Sequence, residues 1–376
     1  MKNPLAQISD YGQSIWLDYI RRNFISSGEL KALIDNDDLR GVTSNPAIFE
    51  EAIAHSDDYT EAIAKLAKEG KSSEEIFLAI AVEDVQNAAD LFKEVYERTN
   101  GLDGYVSLEV SPSLALDTAG TTKEAESSWK VLDRKNVMIK IPGTKEGLHS
   151  IKNAISEGIN INVTLLFGLD RYREVAESYI AGLEARAEKG LPIDSISSVA
   201  SFFLSRIDTM VDPILEKICE ENNNRSLVAR QLIGKVAIAS ARVAYHIFKE
   251  VFGSERFKAL EAKGAKPQRL LWASTSVKNK ALPDVMYIEA LIGPHTVNTV
   301  PKDTLDAFRD HGVASDRLEA GMEEAQWVLY QLEDVVGIKL SEISQKLEEE
   351  GIQKFIKPFQ SLMGVLEEKR SEGKES

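Results

Sequence analysis

The stretch Val137-Met-Ile-Lys-Ile-Pro-Gly-Thr144 places a single lysine, Lys140, inside an apolar run. Apolar and β-branched side chains that are followed at once by Pro-Gly predict a short strand ending in a loop. Side chains alternate between the two faces of a strand, so Lys140 points away from Ile139 and Ile141. If both faces of the sheet are covered, Lys140 is buried. Burial disfavours an ammonium ion, and a neutral amine can attack a carbonyl to form a Schiff base.

Two structural interpretations of Lys140 stay open on this stretch alone. The strand could lie at the edge of a sheet, or the long side chain could extend past its apolar neighbours to place the ammonium group in water. Neither interpretation needs any chemistry at the lysine. The rest of the chain therefore has to decide between a structural and a functional role.

Seven further short runs have the composition of strands, and segments with helical spacing separate them. They cover residues 14–20, 39–45, 105–112, 160–167, 196–206, 269–275 and 296–301. Strands that alternate with helices predict parallel pairing through right-handed crossovers, and eight of them predict a closed (β/α)8 TIM barrel of the α/β class. An open doubly wound sheet is the alternative, but neither G-x-G-x-x-G nor a phosphate-binding loop follows the first strand.

Extra helices are expected in the crossover segments and after the last strand. Residues 46–104 are too long for one crossover and predict two or three helices. The chain from residue 302 predicts helices over 323–332, 339–350 and 353–366, followed by a charged, frayed tail. With no repeat and no low-complexity linker, we expect residues 1–376 to form a single barrel domain, with 302–376 as a C-terminal helical extension.

Composition excludes several classes of function. The 376 residues carry a net charge of −15, which opposes binding to nucleic acid. No apolar run has membrane-spanning length, and the N-terminus lacks the apolar core of a signal peptide, so we expect a cytoplasmic protein without membrane contact. The single cysteine and the five scattered histidines predict neither a disulfide framework nor a metal site.

The active site of a TIM barrel lies where the C-terminal ends of its strands converge. That rule brings together polar side chains that are distant in the sequence. They are Asp18, Asn45, Glu109, Lys140, Asn162, Thr164, Ser201, Arg206 and Lys278.

This set of side chains suits Schiff-base chemistry on a ketose. Such chemistry needs an amine as nucleophile, together with acid and base groups that dehydrate the carbinolamine and move a hydroxyl proton. Lys140, Glu109 and Asp18 provide those groups. Taken alone, either carboxylate could instead be only the ion-pair partner of Lys140.

Four motifs in this order resemble the transaldolase family: Gly41-Val-Thr-Ser-Asn-Pro46, Val137-Met-Ile-Lys-Ile-Pro142, Asn160-Ile-Asn-Val-Thr-Leu-Leu-Phe167 and Ser201-Phe-Phe-Leu-Ser-Arg206. The resemblance extends over residues 14–301. It implies a cofactor-free Schiff-base enzyme of the pentose phosphate pathway with a (β/α)8 fold. Such an enzyme moves a dihydroxyacetone unit from sedoheptulose 7-phosphate to glyceraldehyde 3-phosphate, giving erythrose 4-phosphate and fructose 6-phosphate.

The resemblance also implies a role for each residue of the site. Lys140 would form the Schiff base, and Asp18 would take the donor's hydroxyl proton during carbon–carbon cleavage. Glu109 would act in the hydration steps with a water held by Thr164. The remaining residues would bind substrate: Asn45 and Asn162 the dihydroxyacetone hydroxyls, and Ser201 and Arg206 the phosphate, with Lys278 as a second phosphate contact where many members of the family have an arginine.

Two other functions remain possible on the sequence. A related Schiff-base aldolase would use the same lysine but release dihydroxyacetone, and a sugar-phosphate-binding barrel without catalysis would need no buried amine between two carboxylates. We expect small sugar phosphates as the partners of the site, no cofactor, and a monomer or a homodimer.

Overall fold

Eight parallel strands pair in chain order and close into a barrel, because the first strand pairs with both the second and the eighth in this computed structural model. The structure describes residues 3–221 and 223–375. The predicted (β/α)8 barrel is therefore confirmed. Its strands are Gln13–Asp18 (β1), Gly41–Thr43 (β2), Tyr105–Glu109 (β3), Val137–Pro142 (β4), Ile161–Leu166 (β5), Ser198–Phe203 (β6), Arg269–Ala273 (β7) and Thr296–Val300 (β8).

Helices surround this barrel and cover one of its ends. Short 3₁₀ turns lie at Ser9–Tyr11 and Pro112–Leu114, and a π-helical turn lies at Gln331–Val336. The α-helices are Pro4–Ile8 (α1), Arg22–Ser26 (α2), Glu29–Asp37 (α3), Pro46–Ala54 (α4), Thr60–Lys68 (α5), Ser73–Leu91 (α6), Lys93–Arg98 (α7), Thr118–Leu132 (α8), Gly147–Ser156 (α9), Leu169–Glu188 (α10), Ser205–Cys219 (α11), Asn224–Leu232 (α12), Val236–Phe252 (α13), Glu255–Glu261 (α14), Met286–Ala290 (α15), Lys302–His311 (α16), Met322–Tyr330 (α17) and Leu340–Glu375 (α18).

The crossover between β2 and β3 is more divided than its sequence pattern predicts. Its described residues form four helices, α4 to α7, instead of two or three. A local cap produces one of the breaks: the Ser72 side chain accepts a hydrogen bond from the Glu75 backbone, while the Glu75 side chain accepts one from the Ser72 backbone. This reciprocal pair starts α6 separately from α5.

The C-terminal extension differs most from the prediction. The two helices expected over 339–350 and 353–366 are one helix, α18, which continues through Gly351 and Pro358. The frayed tail is wrong as well, since the same helix runs to Glu375. A buried apolar stripe explains the continuity, because packing outweighs the low helix propensity of glycine and proline. The stripe contains Ile343, Leu347, Ile352, Phe355, Leu362 and Leu366.

Strand register sets the height of the polar side chains in the barrel. Asp18 is paired with Thr43 across β1 and β2. Glu109 is paired with Lys140, and Lys140 in turn with Asn162, across β3, β4 and β5. Residues paired in this way point to the same side of a sheet. The register therefore brings Glu109, Lys140 and Asn162 side by side on β3, β4 and β5, and it places Asp18 beside Thr43 on β1 and β2.

The opposite end of the barrel is closed by a buried ion pair. An Arg269 guanidinium nitrogen lies 2.8 Å from a carboxylate oxygen of Asp103, and Ser14 donates a hydrogen bond of 2.8 Å to the same carboxylate. Above this layer the Trp16 ring faces Gly41, where a Cβ atom would lie 2.6 Å from the indole carbons. Because side chains fill the barrel interior around Trp16, the open cavity lies at the C-terminal mouth.

One hydrophobic cluster extends from Leu5 to Leu366. This continuity supports our proposal that the barrel and the C-terminal extension form a single domain. Among the described residues, no helix is both long and apolar enough to cross a membrane.

Candidate active site

A cavity of about 190 Å³ lies at the C-terminal mouth of the barrel, and six of the nine predicted site residues line it. The other three lie beside it: Glu109 next to Lys140, Asn162 bonded to Ser201, and Thr164 in register with Pro142. The lining residues are Asp18, Thr43, Asn45, Lys140, Ser201, Phe203, Arg206, Ala273, Ser274, Ser276, Lys278, Thr299, Pro301 and Phe355.

Lys140 is buried at the base of this cavity, with 4% of its surface exposed. Its Nζ atom donates a hydrogen bond of 3.0 Å to the Ser44 carbonyl oxygen and lies 3.5 Å from Oε2 of Glu109. An edge strand and a lysine extended into water are both excluded, since β4 lies between β3 and β5. The amine is therefore held in a fixed place beside a carboxyl group that can exchange protons with it.

Glu109 is a strongly perturbed acid of the site. Burial raises the pKa of Glu109 to about 7, although the nearby Lys140 ammonium group opposes the rise. Neither carboxylate oxygen of Glu109 has a hydrogen-bond partner within residues 3–221 and 223–375, and the same holds for the Thr164 hydroxyl. Buried polar atoms without protein partners fit hydrogen bonds to ordered water molecules at Glu109 and at Thr164.

Asp18 lies on the other side of the mouth and is partly buried. Its carboxylate accepts a hydrogen bond of 2.6 Å from the Thr43 hydroxyl, which lies 2.7 Å from the hydroxyl of Thr299. Burial raises the pKa of Asp18, and Lys140, the bond from Thr43 and Arg206 act in the opposite direction. A desolvated carboxylate with a raised pKa is a better base than one in water.

Two amides complete this part of the site. The Asn45 Oδ1 atom accepts a hydrogen bond of 3.0 Å from the backbone of Ile48, so Asn45 caps α4 and its NH₂ group is left for the cavity. Asn162 is held from both sides, because its Nδ2 donates to Ser107 at 3.1 Å and its Oδ1 accepts from Ser201 at 2.7 Å. The Ser201 hydroxyl therefore donates to Asn162 in this structure, and its role at the phosphate stays a prediction.

The far end of the cavity is positively charged. Arg206 belongs to the first turn of α11. The sequence had predicted that it ends a strand run. Burial lowers the pKa of Arg206 from its usual value, but an arginine stays charged at neutral pH. Its Nη1 atom is buried and has no hydrogen-bond partner in the described part of the chain. Lys278 is exposed at the cavity rim, with Ser274 and Ser276 beside it.

The most important residue that sequence reasoning missed is Phe355 of α18. Its ring centroid lies 5.9 Å from the Lys140 Nζ and 5.8 Å from the Arg206 guanidinium carbon. Thr43 and Thr299 were also absent from the predicted site. Thr43 lies two residues before Asn45 in the predicted strand. Side chains two apart point to the same face, so strand alternation could have identified Thr43. Phe355 lies in a helix with no motif of its own, so only its packing in the folded chain identifies it.

A metal site is not apparent at the mouth. Over the described ranges, one group of side chains has the spacing for a metal ion: Glu50, Glu51 and His55. None of these lines the cavity around Lys140. The absence of a cofactor stays a prediction. The amine and the carboxyl groups at the mouth suit covalent and acid–base catalysis.

Comparison with known proteins identifies the family of the chain. The model of the transaldolase/fructose-6-phosphate aldolase family matches residues 15–366. The chain is 51% identical to a transaldolase of Trichodesmium erythraeum over 372 residues, which are 98% of this chain and 97% of the relative. It is 47% identical to transaldolase 2 of a Nostoc species over 98% of this chain and 97% of the relative, and 47% identical to a transaldolase of Thermobifida fusca over 96% and 97%.

Proposed function

The chain belongs to the transaldolase/fructose-6-phosphate aldolase family, and we propose that the cavity around Lys140 carries out its transaldolase reaction. The enzyme is a transferase that acts on sugar phosphates in the pentose phosphate pathway. It moves a dihydroxyacetone unit from sedoheptulose 7-phosphate to glyceraldehyde 3-phosphate through a lysine Schiff base. The products are erythrose 4-phosphate and fructose 6-phosphate.

The observation that supports this proposal best is the position of the buried Lys140 amine between acid groups. The Nζ atom attacks the ketose carbonyl carbon, and the resulting carbinolamine loses its hydroxyl group as water to give a protonated Schiff base. Glu109 supplies and later recovers the proton, because a pKa of about 7 allows both forms at neutral pH. Thr164 holds the water that leaves and returns.

Asp18 acts in the cleavage step. It takes the proton from the donor hydroxyl while the adjacent carbon–carbon bond breaks, and the electron pair of that bond moves toward the iminium nitrogen to form an enamine. Erythrose 4-phosphate leaves. The enamine then attacks the aldehyde carbon of glyceraldehyde 3-phosphate, and Asp18 returns the proton to the new hydroxyl. The bond from Thr43 keeps the Asp18 carboxylate oriented between these two transfers.

The substrate is held at both ends. Asn45 and Asn162 bind the dihydroxyacetone hydroxyls, so the enamine stays in place until the aldehyde arrives. Arg206 binds the phosphate, supported by its buried Nη1 atom, whose missing hydrogen bond a phosphate oxygen would supply. Lys278 adds a second positive charge at the rim. Ser201 joins Arg206 at the phosphate, and its hydroxyl, which donates to Asn162, also orients that amide.

A cytoplasmic location and a monomeric or homodimeric state are part of the same proposal. The location follows from the substrates, since phosphorylated sugars are charged and do not cross a lipid bilayer unaided.

A coupled assay tests the proposed reaction. One sample contains erythrose 4-phosphate and fructose 6-phosphate, and a second contains fructose 6-phosphate alone. We expect glyceraldehyde 3-phosphate to form rapidly only in the first sample, because the enamine needs an acceptor. Equal rates in the two samples would identify an aldolase that releases dihydroxyacetone. The variant Lys140→Ala serves as the control and should be inactive but folded.

A further inference from the structure

Helix α18 crosses the mouth of the barrel and is fixed on both sides of it. On one side the Ser344 hydroxyl donates to the Phe167 carbonyl oxygen at 3.1 Å. On the other side the Lys369 Nζ atom donates to the Ile53 carbonyl oxygen at 3.0 Å. The helix also packs against α4, α5, α6, α11 and β5. The middle of α18 is therefore held over the cavity.

Phe355 lies in this middle part and is 5% exposed. The helix comes close to the barrel there, since a Cβ atom on Gly351 would lie 3.1 Å from Leu165 and 3.5 Å from Nη1 of Arg206. The Phe355 ring centroid lies within 6 Å of two basic groups of the cavity, the Lys140 nitrogen at 5.9 Å and the Arg206 guanidinium carbon at 5.8 Å. One aromatic ring thus contacts the amine end and the phosphate end of the site.

Positive charge develops at the Lys140 nitrogen during the reaction. When the carbinolamine loses water, its carbon–oxygen bond breaks, the leaving oxygen takes a proton from an acid, and the nitrogen lone pair forms the C=N⁺ bond. An aromatic ring attracts a nearby cation through its quadrupole, most strongly where water is excluded. A positive charge on the buried nitrogen would otherwise be costly to desolvate.

We propose that Phe355 stabilises the protonated Schiff base on Lys140 and so raises the fraction of enzyme that is held in this form. The inference rests on the proposed function, because it needs a Schiff base at Lys140. The same ring stacks on Arg206, which a second ring, Phe203, approaches to 5.4 Å. Phe355 therefore also keeps the guanidinium group aligned with the phosphate end of the donor.

The test compares Phe355→Leu with the matched control Phe257→Leu. Leucine keeps an apolar side chain in each case and removes the ring. Phe257 lies in α14 and is 1% exposed, its ring centroid is 4.9 Å from that of Phe252, and it does not line the cavity around Lys140. Each protein is saturated with fructose 6-phosphate and reduced with borohydride, and the ratio of labelled to unlabelled Lys140 peptide is measured by mass spectrometry.

We expect Phe355→Leu to lower this ratio by about threefold to thirtyfold, the range of a desolvated cation–aromatic contact, and to lower kcat with it. Phe257→Leu should change the ratio by less than about twofold. If Phe355→Leu does not fold, Phe355→Met replaces it, because methionine also keeps the apolar volume without a ring. A purely structural role would reduce the yield of folded protein but leave the ratio within the folded fraction unchanged.

Two results overturn the inference. The first is an unchanged ratio in the Phe355 variant, and the second is an equal fall in both variants. The wild-type protein separates the inference from the proposed function: if its Lys140 is not labelled at all, the Schiff base itself is wrong. If the wild type is labelled and Phe355→Leu is labelled equally, the role of Phe355 alone is wrong.

Discussion

Replacing Glu109 with glutamine should change the way stability depends on pH. Burial raises the pKa of Glu109 from 4.5 to about 7 in the folded chain. The folded protein then keeps a proton that the unfolded chain releases between pH 4.5 and 7, so this group makes the protein less stable as the pH rises through that window. Below pH 4.5 both states are protonated, and the group contributes nothing.

The size of the effect follows from the two pKa values. An increase from 4.5 to about 7 corresponds to about 3 kcal/mol of unfolding free energy lost above pH 8. About 2 kcal/mol of this loss falls between pH 5.5 and 8.5. The Glu109 side chain is only 4% exposed, so solvent screening reduces these values little. Glutamine does not titrate, so the free energy of unfolding of Glu109→Gln should rise by about 2 kcal/mol relative to that of the wild type between pH 5.5 and 8.5.

Urea unfolding followed by circular dichroism at pH 5.5, 7.0 and 8.5 measures this difference. Asp208 is the matched control, because burial raises its pKa to about 7 while its bonds to Tyr287 and Ala237 lie outside the cavity. Asp208→Asn should show a pH dependence of the same sign but keep its kcat, whereas Glu109→Gln should lose kcat. A difference between wild type and Glu109→Gln that does not vary with pH would refute the raised pKa of Glu109 and its role as proton donor.

Four further substitutions test other parts of the site. Asp18→Asn should still form the borohydride-trapped adduct but release no erythrose 4-phosphate from sedoheptulose 7-phosphate, as measured in a single turnover; normal release would remove Asp18 as the base. Arg206→Ala should raise KM for phosphorylated donors by about tenfold or more, because a charge-assisted bond is lost. Lys278→Ala should raise the same KM by less, because Lys278 is exposed. Equal KM values for the wild type, Arg206→Ala and Lys278→Ala would remove both residues from the phosphate site. Gly41→Ala should lower the free energy of unfolding by about 1–3 kcal/mol, since its Cβ would lie 2.6 Å from the Trp16 ring; an unchanged urea midpoint would show that the barrel interior can adjust there.

The barrel and the height of its polar side chains are predictable from the sequence because strands are local patterns. The alternation around Lys140 and Glu109 is visible in each strand, and closing the barrel aligns the strand ends without further information. The predicted strand run was carried through to Arg206, because the apolar residues before it give no sign that α11 starts at Ser205.

Contacts made by the C-terminal extension could not be predicted in the same way. The glycine at 351 and the proline at 358 suggested helix ends, and only the barrel surface beneath α18 shows why the helix continues. The position of Phe355 over Lys140 depends on a contact between residues more than two hundred positions apart. Local propensity carries no information about such a contact, because packing between distant segments decides it.

The most direct test of the Schiff base is to incubate the protein with fructose 6-phosphate, reduce it with borohydride and map the modified peptide. We expect one new mass corresponding to a reduced dihydroxyacetone or fructose 6-phosphate adduct, located on Lys140, and loss of transfer activity in proportion to the label. An adduct on another lysine, or an active enzyme that is never labelled, would contradict the assignment of Lys140 as the nucleophile.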